Sequence, residues 1–437
     1  MSSVFETVNS EAESLPRSGS PSSTYDSAFN IGTPATPSST LFSEDLRSLL
    51  QNVSNDEIIL VTGGLGFIGS HTTLELLKAG YHVIVIDNLS NAYESVSERV
   101  YLLANQYHEE KGTLMPALKY YNHDYQDIDA LISLLKGYQT PSWGTSKSRI
   151  AGVIHFASYK AVEESIKEPL KYYSNNVCGL VSFVRILEDF GIKTFIFSSS
   201  ATVYGTLPSS GVPLREELCV HKPETFEVNE GVWKTSQPGS IGITNPYGRT
   251  KWMCEAILAD IAASDPEWTI VALRYFNPIG CDSSGLLGED PRSIPTNLLP
   301  VIVKVMTGQY TELSMFGSDW DTADGTAVRD FIHVTDLAQG HIAALDSAIK
   351  GRLRENFRTF NLGTGNGHSV LEVIKTMQTA SQMDLPHKAA DRRAGDVGYC
   401  VAAADRSLDE LQWSARKTLA DACADICNFL KISGLTN

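Results

Sequence analysis

Tyr247 and Lys251 stand four residues apart in the run NPYGRTKWMCE, residues 245–255. On a helix, residues i and i+4 are neighbours on one face, so the Lys251 ammonium is placed to sit beside the Tyr247 phenol or beside a ligand that the phenol touches. A phenol near pKa 10 is a poor base at neutral pH, and lowering it by about three units takes roughly 4 kcal/mol. One unit charge at about 4 Å supplies that order of energy at the dielectric of a protein surface. The expectation is a tyrosine general base made acidic by its lysine, with a bound cationic group adding to the effect. A Tyr-x-x-x-Lys pair occurs by chance in many helices, so it carries weight only in company.

Residues 58–62 are β-branched and apolar, like a buried parallel strand, and run into GGLGFIGS. A helix is predicted from about Phe67 to Ala79, stopping at Gly80. Gly63 suits the tight turn, Gly66 lets backbone approach a pyrophosphate, and Gly69 lets the helix pack close on the strand. The helix N-terminus then faces the phosphates. The next strand, residues 81–86, ends at Asp87, about twenty residues on, where a carboxylate accepts both hydroxyls of an adenosine ribose and repels a 2′-phosphate. Strand, turn, helix, strand and acid in register predict dinucleotide binding, with NAD favoured over NADP.

Further β-rich segments at 152–156, 194–198 and 269–275 alternate with helix-like stretches such as 170–190. That rhythm predicts a Rossmann-like, doubly wound parallel sheet in an α/β protein with a smaller C-terminal α/β lobe for substrate. Ligands of such sheets gather at the carboxyl ends of strands, and the unusual polar residues fall there: Asp124, placed to meet adenine, HFASYK at 155–160 and SSSATVYG at 198–205.

Residues 1 to about 45 are rich in Ser, Thr and Pro and read as a tail that does not fold, extending to about 55 with a short amphipathic run at 41–50. Ser20, Thr33 and Thr36 precede prolines and read as solvated linker rather than as modification sites. No secretory signal or membrane span is read, and with seven cysteines the chain is expected in the reducing cytoplasm. The net charge of −16 argues against nucleic acid and anionic membranes as partners. Cys423 and Cys427 lie a helical turn apart without a second ligand pair, so no metal is expected. The domains expected are 56–277 for the dinucleotide, with part of 330–363 returning to it, and 278–329 with 364–437 for substrate.

Together TGGLGFIG, HFASYKAVEES, FSSSATVYG, NPYGRTK, RYFNPIG and VRDFIHVTDLA closely resemble the UDP-glucose (UDP-galactose) 4-epimerases of the extended short-chain dehydrogenase/reductase superfamily, over about residues 58–413. Two segments, 207–243 and 139–149, are longer than the family pattern and are expected to loop out at the surface. The resemblance implies that Tyr247 takes the proton of the sugar 4-hydroxyl as the C4 hydrogen passes as hydride to the nicotinamide. Ser200 then shares that oxygen, and Lys251 binds the nicotinamide ribose. The 4-ketose swings about its diphosphate tether and receives the hydride on its other face, so NAD is regenerated. The cofactor set implied is Gly63, Gly66, Phe67, Ile68, Gly69, Asp87, Asn88, Asp124, Phe156, Lys160, Asn175, Tyr247, Lys251 and Tyr275. For the UDP-sugar it implies Arg329 and Arg393 on the diphosphate, Asn277 and Asn297 as further donors, Phe316 against uracil and Asp396 on the uridine ribose. Lys160, Ser200, Thr202, Tyr247 and Cys400 complete the substrate set.

Sugar-nucleotide dehydratases and decarboxylases share the oxidation at C4, but dehydratases usually carry Asp-Glu after the active-site Thr, where this chain has Ala201-Thr202-Val203. A non-catalytic NAD sensor is expected to lose the Tyr or the Lys, and both are present. Relatives pair two helices across a twofold axis, so a homodimer through the outer faces of 170–190 and 252–261 is expected. In RRAGDVGYC the fourth residue after Asp396 is Cys400, which the resemblance makes the sugar gate: a small residue admits 2-N-acetyl sugars where a tyrosine excludes them. UDP-GlcNAc and UDP-GalNAc are therefore expected substrates as well. A one-residue shift makes Tyr399 the gate instead.

Overall fold

The computed structural model describes residues 57–140, 147–207, 211–292, 295, 297–393 and 395–435. The tail, its amphipathic run and its Ser/Thr-Pro positions lie outside the described residues, as does the middle of the 139–149 segment.

Seven parallel strands form the main sheet, in the order Phe357–Leu362, Thr269–Tyr275, Thr194–Ser198, Ile150–His155, Ile58–Thr62, His82–Asp87, Leu118–Asn122. Every residue of Ile58–Thr62 is buried, as a central parallel strand covered on both faces requires. Its alternate side chains separate the two layers. Ile59 and Val61 pack with Leu74, Val96, Val100 and Leu337 of helices Phe67–Lys78, Ser95–Lys111 and Val334–Ile349. Ile58 and Leu60 pack with Leu131, Phe183 and Leu258 of helices Ile128–Lys136, Gly179–Asp189 and Pro246–Ser264. Burying one such Leu or Phe contributes about 1.5–3 kcal/mol, so each layer is held by many comparable terms. The strand order reverses between Ile58–Thr62 and Ile150–His155, which puts the crevice for a ligand at their carboxyl ends.

A further hydrophobic cluster unites Leu299, Ile302, Phe331, Val373, Met377, Cys423 and Phe429; Cys423 is thus a core residue. Beside it Val328–His333 pairs in parallel with Asn277–Ile279 and Tyr399–Cys400 and antiparallel with Gly367–Ser369. No helix among the described residues is long and apolar enough to cross a membrane.

The helix-like stretch 170–190 is helical, but not regular throughout: Pro169–Tyr172 leads into a wider π turn, Tyr173–Cys178, before Gly179–Asp189. The turn aims Asn176 inward, where its amide donates to the Tyr159 carbonyl (3.0 Å) and the Thr250 hydroxyl (3.1 Å). The expectation that 207–243 simply loops out needs correction. Its hairpin, Glu224–Asn229 with Val232–Ser236, stands in solvent, with Trp233 64% exposed, as do Val212 and Ile241. Leu214, Glu216 and Cys219 are buried, and Leu214 exchanges backbone hydrogen bonds with Val401 and Ala403. Apolar Leu214 and Cys219 bracketing charged residues are the local reason: the segment has something to bury at each end.

Candidate active site

The helix Pro246–Ser264 begins where its sequence says it should. Asn245 caps it, accepting from the Gly248 amide at 2.8 Å, and Pro246 at the first turn has no N–H to satisfy. Pro266 follows its last turn. Tyr247 and Lys251 therefore point inward on one face, both buried. Tyr247 hydrogen-bonds Ser200. The Ser200 hydroxyl also accepts from the Thr202 hydroxyl at 3.0 Å. Lys251 Nζ donates to the Ser198 carbonyl (2.6 Å) and the Ser158 hydroxyl (3.1 Å) and lies 5.9 Å from the Tyr247 ring centroid.

The electrostatics differ from the expectation that one lysine suffices. Burial pushes the Tyr247 phenol up to about 12, with the Ser200 hydrogen bond pulling the other way. Burial also brings the Lys251 ammonium down to about 8, opposed by Cys254 and Glu255. Lys251 gives its hydrogen bonds to Ser198 and Ser158, and in the chain alone desolvation dominates at the phenol. A further positive charge nearby would favour the phenolate.

At the other end of the same crevice, Gly63 has φ +69° and a Cβ there would lie 2.8 Å from the Ala157 amide. At Gly69 a Cβ would lie 2.1 Å from the Gly63 carbonyl, so helix and turn touch. Gly66 differs: the nearest atom to its Cβ would be the Gly63 carbonyl at 3.4 Å. Its requirement comes from room at the mouth of the turn, where the first-turn amides of Phe67, Ile68 and Gly69 emerge as helix N-termini leave them. Asp87 closes the second strand, its two oxygens accepting from the amides of Leu65 (3.0 Å) and Leu89 (2.9 Å). Burial pushes its carboxyl up, and those amides pull it back. Asn88 bonds Asp124 at 2.8 Å, which joins the second and third strand ends. Phe156 packs on His341 with ring centroids 4.8 Å apart. The Tyr275 hydroxyl bonds Ser198. Asn175 shares hydrogen bonds with Gln126 (2.8 Å) and Asn176 (2.9 Å), and Lys160 is 3.6 Å from Glu289. These residues fit a dinucleotide: open glycine mouth, helix end, terminal carboxylate and buried lysine in one crevice.

The substrate set is less uniform. Arg329 is ion-paired to Asp396, and the Arg393 guanidinium lies 3.8 Å over the Phe316 ring. Two residues expected on the diphosphate are thus each in contact with one expected on the uridine. Asn277 and Asn297 are exposed, the latter at the start of helix Leu298–Met306. Cys400 pairs with Arg329 and packs against the cluster of Ala201, Val203 and Phe276, on the side of the Ser200 loop. Tyr399 points the other way, since a Cβ on Gly367 would meet its Cε2 at 3.8 Å. Neighbours on a strand face oppositely. Burial pushes the Cys400 thiol up to about 12.

Sequence reasoning missed Ser158, Ser199, Glu255, His221, Arg274 and Glu289. Ser158 and Ser199 lay within the polar strand-end runs 155–160 and 198–205, and Glu255 falls at i+8 from Tyr247 on the same stripe; His221, Arg274 and Glu289 carried no such signal.

Residues 59–363 match the NAD dependent epimerase/dehydratase family. The chain is 42% identical over 367 residues to the UDP-glucose 4-epimerase of Bacillus subtilis, covering 84% of this chain and 95% of that protein. It is 41% identical to the bifunctional protein gal10 of Schizosaccharomyces pombe, of which it spans 47%. Among solved structures, UDP-glucose 4-epimerase from Bifidobacterium longum in complex with NAD+ and UDP is 40% identical and superposes with a TM-score of 0.70 over 87% of this chain and 100% of that one. The UDP-Glc/GlcNAc 4-epimerase of Campylobacter jejuni is 31% identical, with a TM-score of 0.63 over 86% of this chain and 99% of that one. The chain belongs to the NAD-dependent epimerase/dehydratase family, and its cofactor is NAD.

Proposed function

We propose that this protein is a 4-epimerase of UDP-sugars, interconverting UDP-glucose and UDP-galactose, and UDP-GlcNAc and UDP-GalNAc. The observation that carries the reading is the convergence of Tyr247, Ser200 and Lys251 at the carboxyl ends of the strands that also bear the glycine turn. In this reading residues 56–277 with part of 330–363 hold NAD, and 278–329 with 364–437 hold the UDP-sugar. NAD, when bound, accepts and returns the C4 hydrogen and brings the additional positive charge that the buried phenol needs. Tyr247 takes the proton from the sugar 4-hydroxyl. Ser200 bonds the same oxygen, supported by Thr202, and Lys251 orients the nicotinamide ribose beside them. Turning the 4-keto sugar over calls for a firm grip on the nucleotide and a slack one on the sugar. Arg329, Arg393, Asn277, Asn297, Phe316 and Asp396 supply the grip, because planar guanidinium forks match phosphate oxygens. The Ala201-Thr202-Val203 run offers no carboxylate for elimination at C5 or C6, which favours epimerase over dehydratase.

The wider sugar range rests on Cys400 facing the Ser200 loop. A rotating ketose sweeps its C2 substituent through the pocket, and a packed site does not absorb an acetamido group. The substrate range is supported further by the N-acetyl sugar in the name of the C. jejuni relative. Leu170 (81% exposed), Val181 and Met253 lie exposed along the two helices of the expected twofold contact and support a homodimer.

Incubating the protein with UDP-galactose and, separately, UDP-GalNAc tests the reading. UDP-glucose and UDP-GlcNAc are the expected products, and Cys400→Tyr abolishes the second while sparing the first. A 6-deoxy product indicates a dehydratase. Turnover of UDP-galactose with UDP-GalNAc untouched overturns the gate.

A further inference from the structure

Three consecutive serines end the strand Thr194–Ser198 and its turn, and each is held by a different turn of the helix Pro246–Ser264. Ser200 bonds Tyr247, the Ser198 carbonyl accepts from Lys251, and the Ser199 hydroxyl donates to Glu255. Tyr247, Lys251 and Glu255 are at i, i+4 and i+8, one buried stripe of the helix. Glu255 is fully buried, and its carboxylate accepts from Arg274 at 3.0 and 2.6 Å and from His221 at 2.8 Å. Arg274, also fully buried, donates onward to the Cys219 carbonyl at 2.7 Å. His221 stacks on Trp252, ring centroids 3.9 Å apart. The lengthened segment thus reaches the helix that carries Tyr247 through Cys219 and His221.

A buried ion pair can be replaced by apolar residues with little loss, so stability alone does not account for a carboxylate in this place. Its reach does: it touches the residue preceding Ser200 and lies one turn beyond Lys251. We propose that Glu255, fixed by Arg274 and His221, is a positioning residue of the epimerisation, acting through Ser199 to hold the Ser200 hydroxyl on Tyr247. This rests on the 4-epimerase reading above. The electrostatics agree. Burial pushes the Glu255 carboxyl up, but Arg274 and His221 outweigh it and keep it ionised, and Glu255 in turn opposes the loss of the Lys251 proton.

Ser199→Ala removes the link and leaves the Glu255–Arg274 pair intact; Glu255→Gln removes the charge. For Ser199→Ala, kcat with UDP-galactose falls about tenfold or more while KM stays within about twofold. NAD content and melting temperature are unchanged. Loosening Ser200 weakens a hydrogen bond that lowers the Tyr247 pKa, so the acid limb of the kcat profile moves to higher pH by roughly half a unit or more. Glu255→Gln moves the same limb the same way, and should it fail to fold, Ser199→Ala decides alone. A Ser199→Ala enzyme with wild-type kcat and pH profile overturns the inference, as does one that loses NAD or its fold, since the contact is then only structural. A wild-type protein that produces no epimer from UDP-galactose fails the functional reading instead.

Discussion

The two ends of the crevice are built differently. At the NAD end the constraints are backbone constraints: Gly63 in the left-handed region, Gly69 against the Gly63 carbonyl, and Asp87 held by two amides. At the proposed nucleotide-sugar end the groups are long side chains from separate segments, which meet one another as Arg329 with Asp396 and Arg393 with Phe316. A backbone site resists substitution where a Cβ would clash, as at Gly63 and Gly69, and is complete once the strand and helix form. A side-chain site is adjustable, and that suits the proposed mechanism, in which the sugar turns while its nucleotide stays.

The contrast sharpens at the point where the two ends meet. Tyr247→Phe removes one hydroxyl and is expected to lower kcat by about 10²–10⁴-fold with NAD and UDP-sugar affinities nearly unchanged; steady-state kinetics beside equilibrium binding separates the two. Near-normal turnover would sink the proton-transfer role.

Gly69→Ala tests the backbone end. With the Cβ 2.1 Å from the Gly63 carbonyl, relief requires the helix to move off the turn, at a cost of about 3 kcal/mol. The expected result is a lower urea midpoint together with loss of copurifying NAD. Intact NAD binding would show that the turn is more yielding than its geometry implies.

Lys251 links the ends and gives a pH signature. Its folded pKa, about 8, lies below the unfolded 10.5. Between those values the unfolded chain binds more protons, so stability rises as pH rises through the window, and below about 8 the full penalty of the buried cation is present. The difference in unfolding free energy between wild type and Lys251→Met should therefore change by about 3 kcal/mol from pH 8 to 10.5, while NAD affinity and turnover fall. A pH-independent difference would contradict the assignment. The smallest effect is expected far from both ends: Trp233→Ser in the exposed hairpin should alter stability by no more than about 0.5 kcal/mol and leave kcat alone.

Much of this was legible in the sequence because it is local. The glycine turn, Asp87 and the Tyr247–Lys251 spacing each follow from a few adjacent residues and a fixed period. The strands 58–62, 194–198 and 269–275 fall where their β-branched runs put them. The π turn at 173–178 was not legible: its inward-facing Asn176 meets Tyr159 and Thr250, 17 and 74 residues away.

Pairings across long distances in the chain were left to tertiary structure. That Tyr247 is raised rather than lowered depends on burial among strands that no spacing reveals. That Cys400 rather than Tyr399 faces the Ser200 loop depends on the partner strand Val328–His333. That Leu214, Cys219 and His221 are tied inward depends on Val401, Arg274 and Glu255, contributed by three distant segments. Motif and period determine which elements form and which residues they carry. The orientation of a side chain and the protonation of a buried one are decided only when the dielectric and the partners around it are in place, and those come from the folded chain.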